Sequence, residues 1–130
     1  MEKIEFQKLC KNIFKRNGFI ARGNNFYFET DSLFLVFGLQ HSFYGSYYYI
    51  EYGVAVKATN PYMPWPKYYQ VDYGEERIEF CFDPDGDTEA VFYDDAAFNI
   101  DKFTEILESS IQFGKSKLKN GETKCPSGAQ

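Results

Sequence analysis

A strict alternation of side chains over residues 47–57 constrains the fold more than any other feature of the sequence. Even-numbered positions hold aromatic or aliphatic residues, whereas odd-numbered positions hold a mixture that includes charged and small residues. Because successive side chains of a β-strand point to opposite faces of the sheet, this period of two predicts a long strand with one buried face.

Shorter segments on either side also have strand character. We predict strands at 19–22, 26–29, 33–40, 77–82 and 89–93, with turns rich in glycine, asparagine and aspartate. Short connections favour antiparallel neighbours. The middle of the chain is therefore predicted to form a meander sheet of about six strands.

Helical periodicity is confined to the two ends of the chain. Residues 2–17 carry one apolar stripe, and a second helix begins after Asp95 or Asn99 and continues to about Lys119. Each helix has a single apolar stripe, so both helices are expected to pack on the same face of the sheet. The predicted fold class is a two-layer α+β domain.

This domain is predicted to occupy residues 1–121, and residues 122–130 are predicted to form a flexible tail. A length of 130 residues suits one domain. Aromatic residues make up 20% of the chain, which excludes a disordered protein.

Acidic residues are concentrated in one part of the sequence. The whole chain has a net charge of −5, but residues 72–108 hold thirteen acidic and two basic residues, a balance of −11. A field of one sign can steer a basic partner, although a surface that is merely solvated has the same composition. The candidate partner-binding residues of this acidic hairpin are Asp83, Asp85 and Asp87.

A second candidate surface is the segment 60–69, which we call the Pro/aromatic loop. Three prolines stiffen it and lower the entropy that binding would cost. Its large side chains are typical of binding hot spots: Tyr62, Met63, Trp65, Tyr68 and Tyr69. The alternative is that Trp65 folds back and covers a face of the sheet.

The sequence offers few residues for chemistry. The acidic turn lacks the glycine and the glutamate that an EF-hand calcium loop requires at its sixth and twelfth positions. His41 is the only histidine, so metal sites that need several histidine or cysteine ligands are excluded. Glycine-rich phosphate-binding motifs are absent. We therefore expect no metal, no cofactor and no enzymatic activity.

Cysteine usage, hydropathy and charge bear on the compartment and the partner. Cys10, Cys81 and Cys125 have no metal-binding spacing and are predicted to be reduced thiols, the first two of them buried. The segment 32–50 is interrupted by polar residues and is predicted to form two strands rather than a membrane span. The first residues do not resemble a secretory signal, which predicts a cytoplasmic protein with no membrane contact. Basic residues lie on the predicted helices rather than on the aromatic strands, so nucleic-acid binding is not expected.

Residues 9–28 resemble the start of DUF4304, a family of bacterial proteins of unknown function. The shared pattern is an amphipathic helix, then Gly18–Phe19, a basic or polar pair, Gly23, a polar pair and an aromatic pair. Residues 33–40 and 48–54 also resemble this family. The resemblance implies a helix-flanked antiparallel sheet, and it implies no activity and no catalytic residues.

The leading hypothesis is a non-enzymatic cytoplasmic module that binds a protein partner through the acidic hairpin, the Pro/aromatic loop or both, and a basic protein is one such partner. Toxin-neutralising immunity proteins are small acidic bacterial proteins of this kind, by analogy. One alternative is a small-ligand pocket walled by Tyr47, Tyr49 and Tyr52. Another is an enzyme that uses His41 with a carboxylate such as Glu51.

Overall fold

The structure is a computed structural model that describes residues 1–82, 86 and 88–124, with side chains as far as residue 118. It confirms the α+β class. Two helices flank five strands in the order α1 (Lys3–Arg16), β1 (Ile20–Arg22), β2 (Asn25–Glu29), β3 (Leu33–His41), β4 (Tyr48–Val56), β5 (Tyr73–Arg77) and α2 (Ile100–Lys124).

The five strands form one antiparallel sheet in chain order. The longest pairing joins β3 to β4, from Leu33 opposite Val56 to His41 opposite Tyr48. The strand predicted from the alternation at 47–57 is therefore confirmed as β4, and the sheet is an open meander with β1 and β5 at its edges.

Two of the predicted strands are placed differently. The fifth strand lies at Tyr73–Arg77 rather than at 77–82. The Ile78 N–H still donates to the Ile50 carbonyl, but the Phe80 N–H donates to the Thr88 carbonyl instead of to β4, and both side chains are buried in the core. The segment 89–93 makes only an isolated bridge, between Val91 and Tyr48. Val91 and Tyr93 pack in the core without a neighbouring ladder, whereas Phe92 is exposed, so a strand-like sequence pattern arises without a strand.

Helix α2 starts at one of the two predicted caps and ends later than predicted. The Asn99 side-chain oxygen accepts a hydrogen bond from the Lys102 N–H at 3.0 Å, which is the geometry of a helix cap. The helix continues to Lys124, so the predicted end near Lys119 is wrong. A glycine inside a helix costs only about 1 kcal/mol, and Gly121 does not stop this one. The predicted tail thus begins within α2, and residues 125–130 lie outside the described residues.

Both helices cover the same face of the sheet, as their single stripes predicted. Phe6 of α1 stacks on Tyr48 at 5.2 Å between ring centres, and it lies 5.2 Å from Phe103 of α2. The helix residues in this main core are Phe6, Cys10, Ile13 and Phe14 of α1, with Phe103, Leu107, Ile111 and Leu118 of α2.

The second face of the sheet is covered at one end only. Tyr27, Phe34, Val36 and Ala55 form a smaller buried cluster there, and Met63, Trp65, Tyr68 and Val71 pack against it. Towards the β3–β4 turn, Tyr47 and Tyr49 point to this second face and remain partly exposed. The end of the sheet near that turn is therefore available for contacts.

Candidate functional site

Part of the Pro/aromatic loop is used to cover the sheet. The Trp65 ring meets Tyr27 edge to face at 5.1 Å, and the Arg22 guanidinium lies 4.4 Å from the centre of the Trp65 ring. Trp65 is thus folded back, which is one of the two alternatives that the sequence left open. Tyr62 and Tyr69 remain 53% and 59% exposed, so these two residues keep a surface for a partner.

Polar contacts fix the loop at both of its ends. The Tyr68 N–H donates to Asn25 Oδ1 at 2.9 Å. Asn60, a buried polar residue, donates from Nδ2 to the Gln70 carbonyl at 2.8 Å and to Asp72 Oδ2 at 3.0 Å. The loop is therefore a fixed part of the fold rather than a free arm.

Asp83, Asp85 and Asp87 lie outside the described residues. Described carboxylates of β5, of the residues after it and of α2 line a series of adjoining depressions, and we call these carboxylates the acidic strip. A depression beside Tyr68 holds Glu75 and Glu76, and the next one shares Glu76. That second depression shares Ser109 with a third on α2. The acidic strip consists of Glu75, Glu76, Glu79, Asp101, Glu105 and Glu108.

Two members of the acidic strip are neutralised within the chain. Glu76 pairs with Lys117, and Glu108 pairs with Arg16 at 3.0 Å. Hydrogen bonds from Arg16 and Asn17 hold the pKa of Glu108 below its ordinary value. Among the described residues, the members without an ion pair are Glu75, Glu79, Asp101 and Glu105. The strip therefore keeps an excess of negative charge.

Tyr47, Tyr49 and Tyr52 do not wall one pocket, because they lie on opposite faces of β4. Tyr52 is buried with the helices and stacks on Phe37 at 4.6 Å. Its burial, followed by the nearby Glu76 carboxylate, raises the pKa of Tyr52 to about 12. Tyr47 and Tyr49 face the other way, with their ring centres 5.6 Å apart.

Arg77 stacks on this exposed aromatic pair. Its guanidinium lies 4.2 Å from the centre of the Tyr49 ring. It donates to Glu51 Oε2 from Nε at 2.9 Å and from Nη2 at 2.6 Å, and Nη1 reaches Glu89 at 3.4 Å. The chain thus holds an arginine between an aromatic ring and two carboxylates.

His41 is not brought together with Glu51. Its Nδ1 lies 2.7 Å from the Ser42 carbonyl oxygen, and its Nε2 lies 3.2 Å from the Tyr93 hydroxyl. Glu51 stands opposite Gly38 in the ladder and pairs with Arg77. The pair of His41 with Glu51, which the enzyme alternative gave as its example, is therefore not formed.

The two described cysteines differ in exposure. Cys10 is buried as predicted, and burial raises the pKa of its thiol. The prediction that Cys81 is buried in a strand is wrong, because Cys81 is exposed and has a φ of 55°. That left-handed backbone does not belong to a strand. Cys125 lies outside the described residues.

The most exposed aromatic side chains of the described chain are ones that the sequence pattern did not single out. Phe43 and Tyr44, in the β3–β4 turn, are 97% and 93% exposed. Tyr47 follows them and lies 4.8 Å from Phe92, ring centre to ring centre. We call Phe43, Tyr44, Tyr47 and Phe92 the aromatic tip. The sequence signal for the aromatic tip is a pair of adjacent large aromatic residues in a turn, because small and polar residues prevail in turns.

The described residues offer neither a metal cluster nor a membrane-spanning helix. Among them, no cluster of three or more histidine, cysteine or acidic side chains is placed to hold a metal ion. Neither helix, over its described part, has the length and apolar character needed to cross a bilayer.

A family model matches most of the chain. The model of the domain of unknown function DUF4304 covers residues 10–116, from within α1 through the whole sheet and far into α2. No curated protein and no solved structure matches the chain significantly. The resemblance that residues 9–28 show is therefore part of a match over residues 10–116, and the chain belongs to the DUF4304 family.

Proposed function

We propose that the chain is a non-enzymatic, cytoplasmic module that binds a basic protein. The observation that carries this proposal is the acidic strip, which runs from the Pro/aromatic loop around β5 to α2. Carboxylates in excess over cations raise the rate at which a basic surface associates and disfavour acidic competitors. Asp83, Asp85 and Asp87 extend the same charge in this proposal.

The Pro/aromatic loop adds apolar contact at one end of the acidic strip. Tyr68 lines the depression that holds Glu75 and Glu76, and its neighbour Tyr69 is exposed. Tyrosine buries a large area in an interface and loses little conformational entropy. A partner that covers the strip would therefore also cover Tyr69, and a role like that of an immunity protein fits this arrangement.

Capture with charge variants tests the proposal. The full chain is immobilised and exposed to an extract of its native cells, and bound proteins are identified by mass spectrometry. We expect a basic protein that is released at high ionic strength, because surface charges are screened by salt. The triple variant Glu75→Gln, Glu79→Gln and Glu105→Gln is expected to reduce its capture several-fold.

The matched control neutralises charge elsewhere. Lys8→Gln with Lys11→Gln changes two exposed residues of α1 and is expected to leave capture intact. Tyr62→Ser with Tyr69→Ser tests the loop, and it is preferred to Trp65→Ala because Trp65 supports the sheet. Capture that persists at high salt and in the triple variant would contradict the proposed function.

A further inference from the structure

The aromatic tip combines extreme exposure with aromatic stacking. Phe43 and Tyr44 have almost no neighbours, whereas Tyr47 bridges Phe92 and Tyr49 on the second face of the sheet. Exposed aromatic side chains at this density are rare on a surface that meets only water. The tip therefore has the composition of a contact surface.

Carboxylates line two depressions next to the aromatic tip. A depression next to Ser46, in the same turn as Tyr44, is lined by Glu2, Lys3, Glu5 and Asp94. On the other side, a groove of about 500 Å³ is lined by Phe92 and Asp95, between Phe82 and Phe98. Acidic residues outnumber Lys3, the one basic residue that lines these two depressions, so the electrostatic field favours a cationic ligand.

The aromatic tip adjoins Tyr49, a ring on which an arginine of this chain, Arg77, already stacks. Arg77 lies over Tyr49 and is held by Glu51 and Glu89. Tyr49 contacts Tyr47, the first ring of the tip. Among the described residues, no lysine or arginine lies over a ring of the tip itself. The tip thus presents the same aromatic and carboxylate groups without a cation from this chain.

We propose that the aromatic tip binds arginine side chains of a basic protein segment, which stack on its rings while the surrounding carboxylates accept their hydrogen bonds. The planar guanidinium suits both contacts, whereas a lysine ammonium is a compact and strongly hydrated charge. A second copy of the chain would bring the same acidic rim, and an anionic membrane would be repelled by it. This inference rests on the proposed function and names the side chain that the partner must supply.

Two labelled peptides of equal length and charge test the inference. One repeats Gly-Arg and the other repeats Gly-Lys, and each is titrated with the full chain in a fluorescence anisotropy measurement. We expect the arginine peptide to bind roughly two- to fivefold more tightly than the lysine peptide. The variant Phe43→Ser with Tyr44→Ser should bind the two peptides equally.

The control is Ile20→Ser, another exposed apolar residue, which lies on the edge strand β1 rather than in the β3–β4 turn. It should keep the preference for arginine. Since Phe43 and Tyr44 are almost fully exposed, the tip variant should keep the thermal midpoint of the wild type, which is measured alongside.

Each other outcome has a defined meaning. Equal, salt-dependent binding of both peptides to the wild type would overturn this inference and leave the proposed function standing. Binding of neither peptide would also overturn this inference, whereas the capture experiment decides the proposed function separately. The wild type could instead self-associate, or bind phosphatidylcholine–phosphatidylglycerol vesicles. Loss of either property in the tip variant would assign the tip to another occupant and overturn the inference.

Discussion

Replacing Gly38 by alanine should lift the Pro/aromatic loop from the sheet. A Cβ at residue 38 would lie 2.0 Å from Cδ1, 2.2 Å from Cγ and 2.5 Å from Cβ of Tyr68. Carbon atoms in contact are normally about 3.5–4 Å apart. Because the Cβ of Tyr68 is one of the close atoms, rotating the ring cannot relieve the overlap, and the loop backbone must move.

The cost can be worked out from the contacts that change. Overpacking of this kind costs about 1–3 kcal/mol. Loss of the hydrogen bond from the Tyr68 N–H to Asn25 Oδ1, 2.9 Å long, adds about 1 kcal/mol. Alanine in place of glycine in a strand returns about 0.5–1 kcal/mol. The free energy of unfolding should therefore fall by about 2 kcal/mol, equivalent to roughly 6–10 °C in Tm for a domain of this size.

A double-mutant cycle in urea measures this cost. Trp65 is the only tryptophan and lies in the loop, so its fluorescence reports the loop while circular dichroism reports the whole domain. In a Tyr68→Gly background, Gly38→Ala should be neutral or slightly stabilising, because residue 68 then has no side-chain atom left to clash. An equal cost in both backgrounds, or no cost in the wild type, would refute the placement of Tyr68 on β3.

Three further predictions concern ionisable groups. Burial raises the pKa of Tyr52 from 10.0 to about 12, so the stability that its neutral hydroxyl confers is complete below pH 10 and is lost as the pH rises to 12. In denaturant titrations at several pH values, Tyr52→Phe should reduce this alkaline loss of unfolding free energy. An unchanged dependence of the unfolding free energy on pH would contradict the burial of Tyr52. The pKa of Glu108 is lowered by hydrogen bonds from Arg16 and Asn17, so its stabilisation is present above its ordinary pKa and is lost as the pH falls through the lowered value. Glu108→Gln should cost less than about 1 kcal/mol at pH 7 and nothing in strong acid, since the pair is partly exposed. A thiol reagent should label Cys81 in the native chain and Cys10 only after unfolding, as mass spectrometry of the labelled peptides would show; native labelling of Cys10 would contradict its burial.

The sheet and the helices could be predicted because each has a regular period. The alternation of residues 47–57 gave β4, and the single stripes of α1 and α2 gave their common face. The segment 77–93 was predicted less accurately because its burial depends on contacts with residues far away in the sequence. Phe80 stacks on Phe103 at 5.2 Å, a contact between distant parts of the chain that no short period encodes.

The candidate site was only partly accessible to sequence reasoning. The residue types of the Pro/aromatic loop suit both a binding surface and a cover for the sheet. Gly38 has no side chain and so lets Tyr68 lie on β3, and Trp65 and Tyr68 therefore cover the sheet. The acidic strip joins residues far apart in sequence, so only the three-dimensional arrangement shows its continuity. Phe43 and Tyr44 are exposed because no other described segment folds over the β3–β4 turn, and the sequence of the turn alone does not predict this.

Amide hydrogen exchange of the full chain, free and saturated with its captured basic partner, is the most direct test of the claim that this domain works by binding. We expect protection in the β3–β4 turn, residues 42–47, and along β5, with no change on the exposed lysine face of α1. Protection centred on α1, or none anywhere in a stable complex, would contradict it.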